Sequence, residues 1–238
     1  MDISTNVSKA NLVEAFARRC PRAAYEAANQ QGIPSLELQS IFTEGNIVDQ
    51  KSQEILFPDG ETVPFSKTRV AIQATNALLA DTSLVRINQP TLKTPEGEVA
   101  RLDSIERTKD GWSHEEVKSA LSVKPKHRFD ALVSTDRATR AGLVFDDVWL
   151  VHLNRDWRVG DSELDLFRTE NITTSMSDPS LIEFLETTNV ALMSDGPPPA
   201  KLVKGCWSDG GCPYFAECFG GADHPLIDLS RVNDKQAD

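Results

Sequence analysis

The stretch that decides the fold reads Ala100-Arg101-Leu102-Asp103 and then Gly111-Trp112-Ser113-His114-Glu115-Glu116-Val117-Lys118-Ser119-Ala120. Side chains alternate along a strand, so Glu116 and Lys118 share one face while Glu115 points to the other. An Asp on one strand and a Glu-x-Lys on the next suit a divalent cation beside a phosphodiester. Carboxylates of Asp103 and Glu116, with the Val117 carbonyl, are hard oxygen donors for Mg²⁺ or Mn²⁺. Lys118 then orients an attacking water or steadies charge growing on the phosphate. Acidic-x-Lys is common in strands, and the plain alternative is an exposed strand face.

Working outward, the chain reads as a β-meander. Strand-like runs cover Ser83 to Gln89, Val99 to Ile105, Trp112 to Ser119 and Leu143 to His152. Pro95-Glu96-Gly97 and Lys109-Asp110-Gly111 supply the turns. A helix from Asp130 to Ala141 joins the third run to the fourth. Earlier helices are expected over Ser8 to Gln30, stopped by Gly32-Ile33-Pro34, over Ile41 to Leu56 and over Ser66 to Ala80. Glu61-Thr62-Val63-Pro64 is a short strand or linker. Gly196-Pro197-Pro198-Pro199 reads as a stiff connector, and the tail after Asp223 as loose.

Four cysteines frame this core: Cys20 in Arg18-Arg19-Cys20-Pro21-Arg22, and Cys206, Cys212 and Cys218 near the end. Four thiolates suit an iron–sulfur cluster, with tetrahedral zinc and a disulfide framework as alternatives. Met1-Asp2-Ile3-Ser4-Thr5-Asn6 lacks the basic and apolar regions of a secretory signal, so a cytoplasmic, metal-binding reading is preferred. Cys20 is placed on the apolar face late in the first helix. Arg18, Arg19 and Arg22 are a solvated face or a phosphate contact.

The length of 238 residues allows one domain with an appendage, and 39% hydrophobic residues are ordinary for a folded protein. No apolar run approaches a membrane span. A net charge of −11 argues against wholesale nucleic-acid binding. The acid is uneven, however. Residues 101–160 hold 11 Lys and Arg against 10 Asp and Glu, whereas 161–200 hold one Arg against eight acids. Lys124, Lys126 and Arg128, in the run Lys124-Pro125-Lys126-His127-Arg128, are candidate phosphate contacts, which Arg137 and Arg140 extend. His114 and His152 read as structural, and the four tryptophans are too scattered for a stacking platform.

The α, then β-β-β-α-β order is that of an α/β chain with a restriction-endonuclease-like core, a central mixed sheet flanked by helices. At this point the sequence resembles the PD-(D/E)xK nuclease superfamily, in its RecB-like, CRISPR-associated exonuclease branch. The resemblance runs from Ser8 to Cys218. It is carried by Phe16, Cys20-Pro21-Arg22 and Tyr25, by Ala100-Arg101-Leu102-Asp103, by Glu116-Val117-Lys118-Ser119, by Val148-Trp149-Leu150-Val151-His152-Leu153-Asn154, and by Cys206, Cys212-Pro213 and Cys218. It implies a single nuclease-like domain over 1–238, with a helical part at 8–82, a catalytic core at 83–160 and a cluster segment at 200–220.

The resemblance also implies catalytic Asp103, Glu116 and Lys118, with Mg²⁺ or Mn²⁺ on Asp103, Glu116 and Val117. A 4Fe-4S cluster on Cys20, Cys206, Cys212 and Cys218 would join the two ends. The implied activity is a DNA exonuclease in repair, recombination or defence, acting on single strands or free ends, with protein partners in a larger complex. Relatives carry a His where Gly45-Asn46-Ile47-Val48-Asp49 stands, and a Gln near Ser134. Asp49 reads as a further hard-cation ligand or as surface charge, with surface charge preferred. The spacing from Cys206 to Cys212 is wider than in relatives. These departures leave a second reading, a catalytically degenerate module that binds nucleic acid or a protein.

Overall fold

Pro21 breaks what the apolar periodicity reads as one helix from Ser8 to Gln30. Proline lacks an N–H, and its ring pushes the preceding residue out of the α region. In the computed structural model, α1 spans Lys9–Arg18 and α2 spans Pro21–Asn29. The Ser8 hydroxyl caps α1 by accepting from the Asn11 amide at 3.2 Å. Arg19 ends it with a left-handed backbone, φ 55°. Cys20 therefore lies in the joint between two helices, not on the face of one. The structure describes residues 8–29, 36–207 and 211–220. The expected stop at Gly32-Ile33-Pro34 and the tail after Asp223 lie outside them.

The chain parts into two compact units, Met1–Gly32 with Ile182–Asp238, and Ile33–Leu181. The first holds α1, α2, most of α6 (Pro179–Leu192) and the short α7 (Phe215–Phe219). Leu12, Ala15, Ala23 and Ala24 are buried in it, and Phe16 meets Phe184 edge to face at 5.2 Å. The carboxy-terminal segment is tied to the helices by arginines. Arg18 donates to the Gly205 and Gly211 carbonyls, each at 3.1 Å, and Arg22 donates to the Pro198 carbonyl at 2.8 Å.

The second unit holds α3 (Leu36–Ile55), α4 (Thr68–Ala80), α5 (Pro125–Arg140) and eight strands. These strands are β1 (Glu61–Thr62), β2 (Arg86–Asn88), β3 (Thr91–Lys93), β4 (Val99–Arg101), β5 (Ser104–Arg107), β6 (Trp112–Lys118), β7 (Phe145–Leu153) and β8 (Phe167–Asn171). Six of them form a mixed sheet in the order β1-β2-β5-β6-β7-β8, and β3 and β4 form a separate hairpin. The fold is α/β. Strands β6 and β7 run parallel with α5 as their crossover, and β5 and β8 flank them antiparallel.

The expected strand Val99 to Ile105 is two strands on two sheets, broken at Leu102-Asp103. There the Leu102 amide donates to the Pro90 carbonyl at 3.1 Å and the Gln89 amide to the Asp103 carbonyl at 2.9 Å. Strand β2 stops at Asn88 because Gln89 has φ 56° and Pro90 has no ladder donor. Helix α5 starts at Pro125, five residues ahead of expectation, since proline is well suited to a first helical position. Strand β8 and helix α6 were not legible in the periodicity.

The sheet is covered on both faces. Val117, Val151 and Phe167 pack with Phe57 and with Val48 and Ile55 of α3. Val148, Leu150 and Ile172 pack with Ala131 of α5. A third cluster seats Ile87, Ile105 and Trp112 against Ala71 of α4 and Ala138 of α5. Among the described residues no helix is long and apolar enough to cross a membrane.

Gly205 approaches α1 closely. A Cβ at this position would stand 2.2 Å from the Arg18 carbonyl oxygen, a backbone atom that cannot swing away. Gly205→Ala is expected to cost about 1–3 kcal/mol through overpacking. A lowered denaturation midpoint, with faster proteolysis near residue 200, is the expected result of chemical unfolding and limited trypsin digestion.

Candidate functional site

Strand β6 carries His114, Glu116 and Lys118 on one face, turned toward α5. His114 Nδ1 lies 2.9 Å from Thr135 Oγ1, and Lys118 Nζ lies 2.7 Å from Asp130 Oδ2, both partners being on α5. Lys118 Nζ also donates to Glu116 Oε1 at 2.6 Å. His114 Nε2 stands 3.3 Å from the other Glu116 oxygen, with both side chains essentially inaccessible. A buried carboxylate is thus held between an imidazole and an ammonium. Burial pulls the Lys118 pKa down, but the Glu116, Asp130 and Asp103 carboxylates override it and hold the ammonium above its usual range.

Asp103 occupies the corner between β4 and β5, not a strand position. Strand β5 pairs with β6 only as far as Ser104 and Glu115, which leaves the Val117 amide, on the β5 side of β6, without a ladder partner there. The Asp103 carboxylate fills that gap, accepting from the Val117 amide at 2.7 Å. The sequence-predicted Asp103, Glu116, Val117 and Lys118 are therefore brought together.

Asp49 is not the surface charge that its sequence context suggests. It lies on α3, and its Oδ2 accepts from Gln89 Nε2 at 2.8 Å and Gln53 Nε2 at 3.1 Å. Its Oδ1 is buried with no hydrogen-bond partner. Burial raises the Asp49 pKa against the Gln53 hydrogen bond and the Arg101 charge, and the Glu116 charge raises it further. Gln89 also accepts from Arg101 Nε at 3.0 Å. Its left-handed backbone is strained for a side chain with a Cβ, as residues at functional sites often are. No spacing rule pointed to Gln89; only its position before Pro90 hinted at an irregular backbone.

The remaining charges divide by role. Glu115, on the opposite face, pairs with Arg86 at 3.0 Å, and burial pushes its pKa up to about 7 against that arginine. Arg128 is ion-paired with Glu170 and donates to Ser175, so it is not open to a phosphate. Arg137 and Arg140 bind Glu98 beside the β3–β4 turn and do not extend a phosphate-binding surface. Lys124 and Lys126 remain exposed at the start of α5.

The four cysteines, all free, line one pocket of about 380 Å³, counting solvent at its mouth, together with Arg18, Arg22 and Lys201. Arg18 and Arg22 are engaged with backbone carbonyls there rather than presented to a phosphate. Burial pushes the Cys218 thiol up to about 11, helped by the charges of Cys20 and Cys212. Burial also raises Cys206, again with Cys212 and Cys20 adding to it. Cys206 and Cys218, each raised further by its thiol neighbours, belong to a donor set that a bound cation would relieve.

Among the described residues, no three His, Cys, Asp or Glu side chains stand close enough, as placed, to share a metal ion. The chemistry of both donor sets nevertheless fits one. Asp103, Glu116 and Asp130 surround a single ammonium, and the orphaned Asp49 oxygen is a further hard donor.

No protein-family model matches the chain, and no curated protein matches it. Among solved structures it is similar to SSO0001, at a TM-score of 0.35 and 12% identity, over 89% of this chain and 84% of that one. A likeness this loose says nothing about activity.

His127 yields a pH prediction. Burial, with the charges of Lys118 and Lys126, lowers its pKa from 6.5 to about 4, and its Nδ1 accepts from the Lys124 amide at 3.2 Å. A depressed histidine favours folding above its unfolded pKa, and that contribution is lost as pH falls toward 4. Unfolding titrations between pH 6.5 and 4 should show His127→Asn losing up to about 1.4 kcal/mol per pH unit less than the wild type.

Proposed function

We propose that the unit Ile33–Leu181 is a restriction-endonuclease-like domain that hydrolyses phosphodiester bonds of DNA with a divalent cation. The observation that carries this reading is the convergence on one face of β6: Lys118 at 2.6 Å from Glu116 and 2.7 Å from Asp130, beside Asp103 on the Val117 amide at 2.7 Å. Asp103, Glu116 and the Val117 carbonyl would hold Mg²⁺ or Mn²⁺, with Asp49 adding a carboxylate from α3. The ion supplies charge neutralisation at the phosphate and a more acidic water.

The chain's own residues do the rest. Lys118 directs its ammonium at the entering water and at the charge growing on the phosphate oxygens. Asp130 keeps that ammonium charged and aimed. His114, braced by Thr135, fixes the Glu116 carboxylate from behind. As the water oxygen bonds to phosphorus, the bond to the sugar oxygen opposite it breaks. Lys124 and Lys126 offer exposed charge to the DNA backbone. Asp103→Ala, Glu116→Ala and Lys118→Ala are each expected to abolish cleavage of end-labelled DNA in Mn²⁺ or Mg²⁺, with circular dichroism of each variant separating lost chemistry from lost stability. Asp49→Asn is expected to raise the cation concentration for half-maximal cleavage about tenfold. Full activity in any of the first three variants would overturn its assigned role.

The amino- and carboxy-terminal unit is proposed to bind a 4Fe-4S cluster through Cys20, Cys206, Cys212 and Cys218. Its support is the shared pocket of four free thiols. Anaerobically purified protein should be brown and hold iron and sulfide, and Cys206→Ala should lose both and unfold more readily. Zinc without colour would assign the tetrahedral site instead.

The second reading, a non-catalytic binding module, draws on the described residues, among which no three donors stand close enough to share a metal ion. DNA binding without cation-dependent cleavage would select it.

A further inference from the structure

Phe65 is an unusual residue to leave in water. Its side chain is 90% exposed, yet it belongs to the ordered bend Pro64-Phe65-Ser66 between β1 and α4. The Arg101 guanidinium lies over its ring, 4.9 Å from the centroid. A cation over one face favours this placement of the ring and leaves the other face open. Arg101 is fixed in turn, since its Nε donates to Gln89 at 3.0 Å, and Gln89 donates to Asp49 at 2.8 Å. The ring is therefore joined, through Arg101 and Gln89, to the Asp49 carboxylate, whose pKa the Glu116 charge helps to raise.

The surroundings suit a polyanion. Lys67 and Arg69 follow Phe65 and are both exposed. An exposed ring among cations is the arrangement that grips an unpaired base by stacking and its phosphates by charge. A duplex end keeps its bases stacked on one another and presents them poorly to a single ring. Arg101 biases the ring toward this placement before the ligand arrives, which lowers the ordering cost of binding.

We infer that Phe65, backed by Arg101, is a stacking subsite for one unpaired base of a single-stranded nucleic acid, with Lys67 and Arg69 on its phosphates. The choice of ligand rests on the nuclease reading, and the subsite would hold the strand beside the Asp103–Lys118 site.

The test is binding, kept apart from cleavage by supplying Ca²⁺ in place of Mg²⁺ or Mn²⁺. Fluorescence anisotropy would compare a labelled oligothymidylate with an abasic oligonucleotide of the same length, for the wild type, Phe65→Ala and Phe65→Trp. Phe65→Ala is expected to weaken oligothymidylate binding about tenfold and to leave the abasic strand unchanged, with Phe65→Trp binding as well as the wild type or better. Circular dichroism would confirm folding of the variants, which change a residue with few packing contacts to lose.

Equal binding of oligothymidylate by the wild type and Phe65→Ala would overturn the subsite and point to a protein contact for the ring. A loss shared by both strands would overturn it too, as would a wild type that binds neither. The two readings fail separately. Cation-dependent cleavage with no Phe65 effect removes the subsite alone, whereas base-dependent binding with no cleavage removes the nuclease reading alone.

Discussion

A mostly buried ammonium organises the sheet unit. Lys118 lies between Glu116 and Asp130, and the stem of its strand is walled by α5. Charge taken out of water is costly unless it is paired, and losing one partner of such a group typically costs about 3–5 kcal/mol. The pairing fixes more than two side chains. Glu116 comes from β6 and Asp130 from the first turns of α5, so the ammonium ties the crossover helix to the strand. Glu116 in turn fixes His114, which reaches Thr135 one turn and a half further along the same helix.

The corner at Asp103 answers a second constraint. Strand β6 is longer than the stretch of β5 that pairs with it, and an unpaired buried amide costs about as much as a lost hydrogen bond. A carboxylate placed at the corner satisfies the Val117 amide and adds negative charge near Lys118. One residue thus serves backbone and site together. Strain sits nearby at Gln89, whose left-handed backbone is stabilised by Asp49 and Arg101 on either side of its amide.

The other unit is built on different chemistry. Arg18 and Arg22 donate to carbonyls of a segment with little regular structure of its own, and Gly205 lets that segment lie directly on the α1 backbone. Those contacts line up four thiols around one pocket. Burial and the neighbouring thiols oppose ionisation of Cys206 and Cys218.

Period-two alternation put Glu116 and Lys118 on one face and Glu115 on the other, and the turn residues Pro95-Glu96-Gly97 and Lys109-Asp110-Gly111 marked the hairpins. Both are local properties, so they were legible in the residues themselves. The count of four cysteines was equally legible. The link from Asp49 through Gln89 to Arg101 was not, because these residues meet across 40 and 12 residues of chain through side-chain hydrogen bonds that no periodicity encodes. The arginines misled for a related reason. A guanidinium reads the same whether it faces water, phosphate or protein, and only packing assigned Arg18 and Arg22 to carbonyls and Arg128 to Glu170. Alternation and turn chemistry are set within a few residues, so the sequence alone determined the strand faces. Burial and long-range pairing exist only once the chain is folded, so the tertiary structure decided which charges form the site.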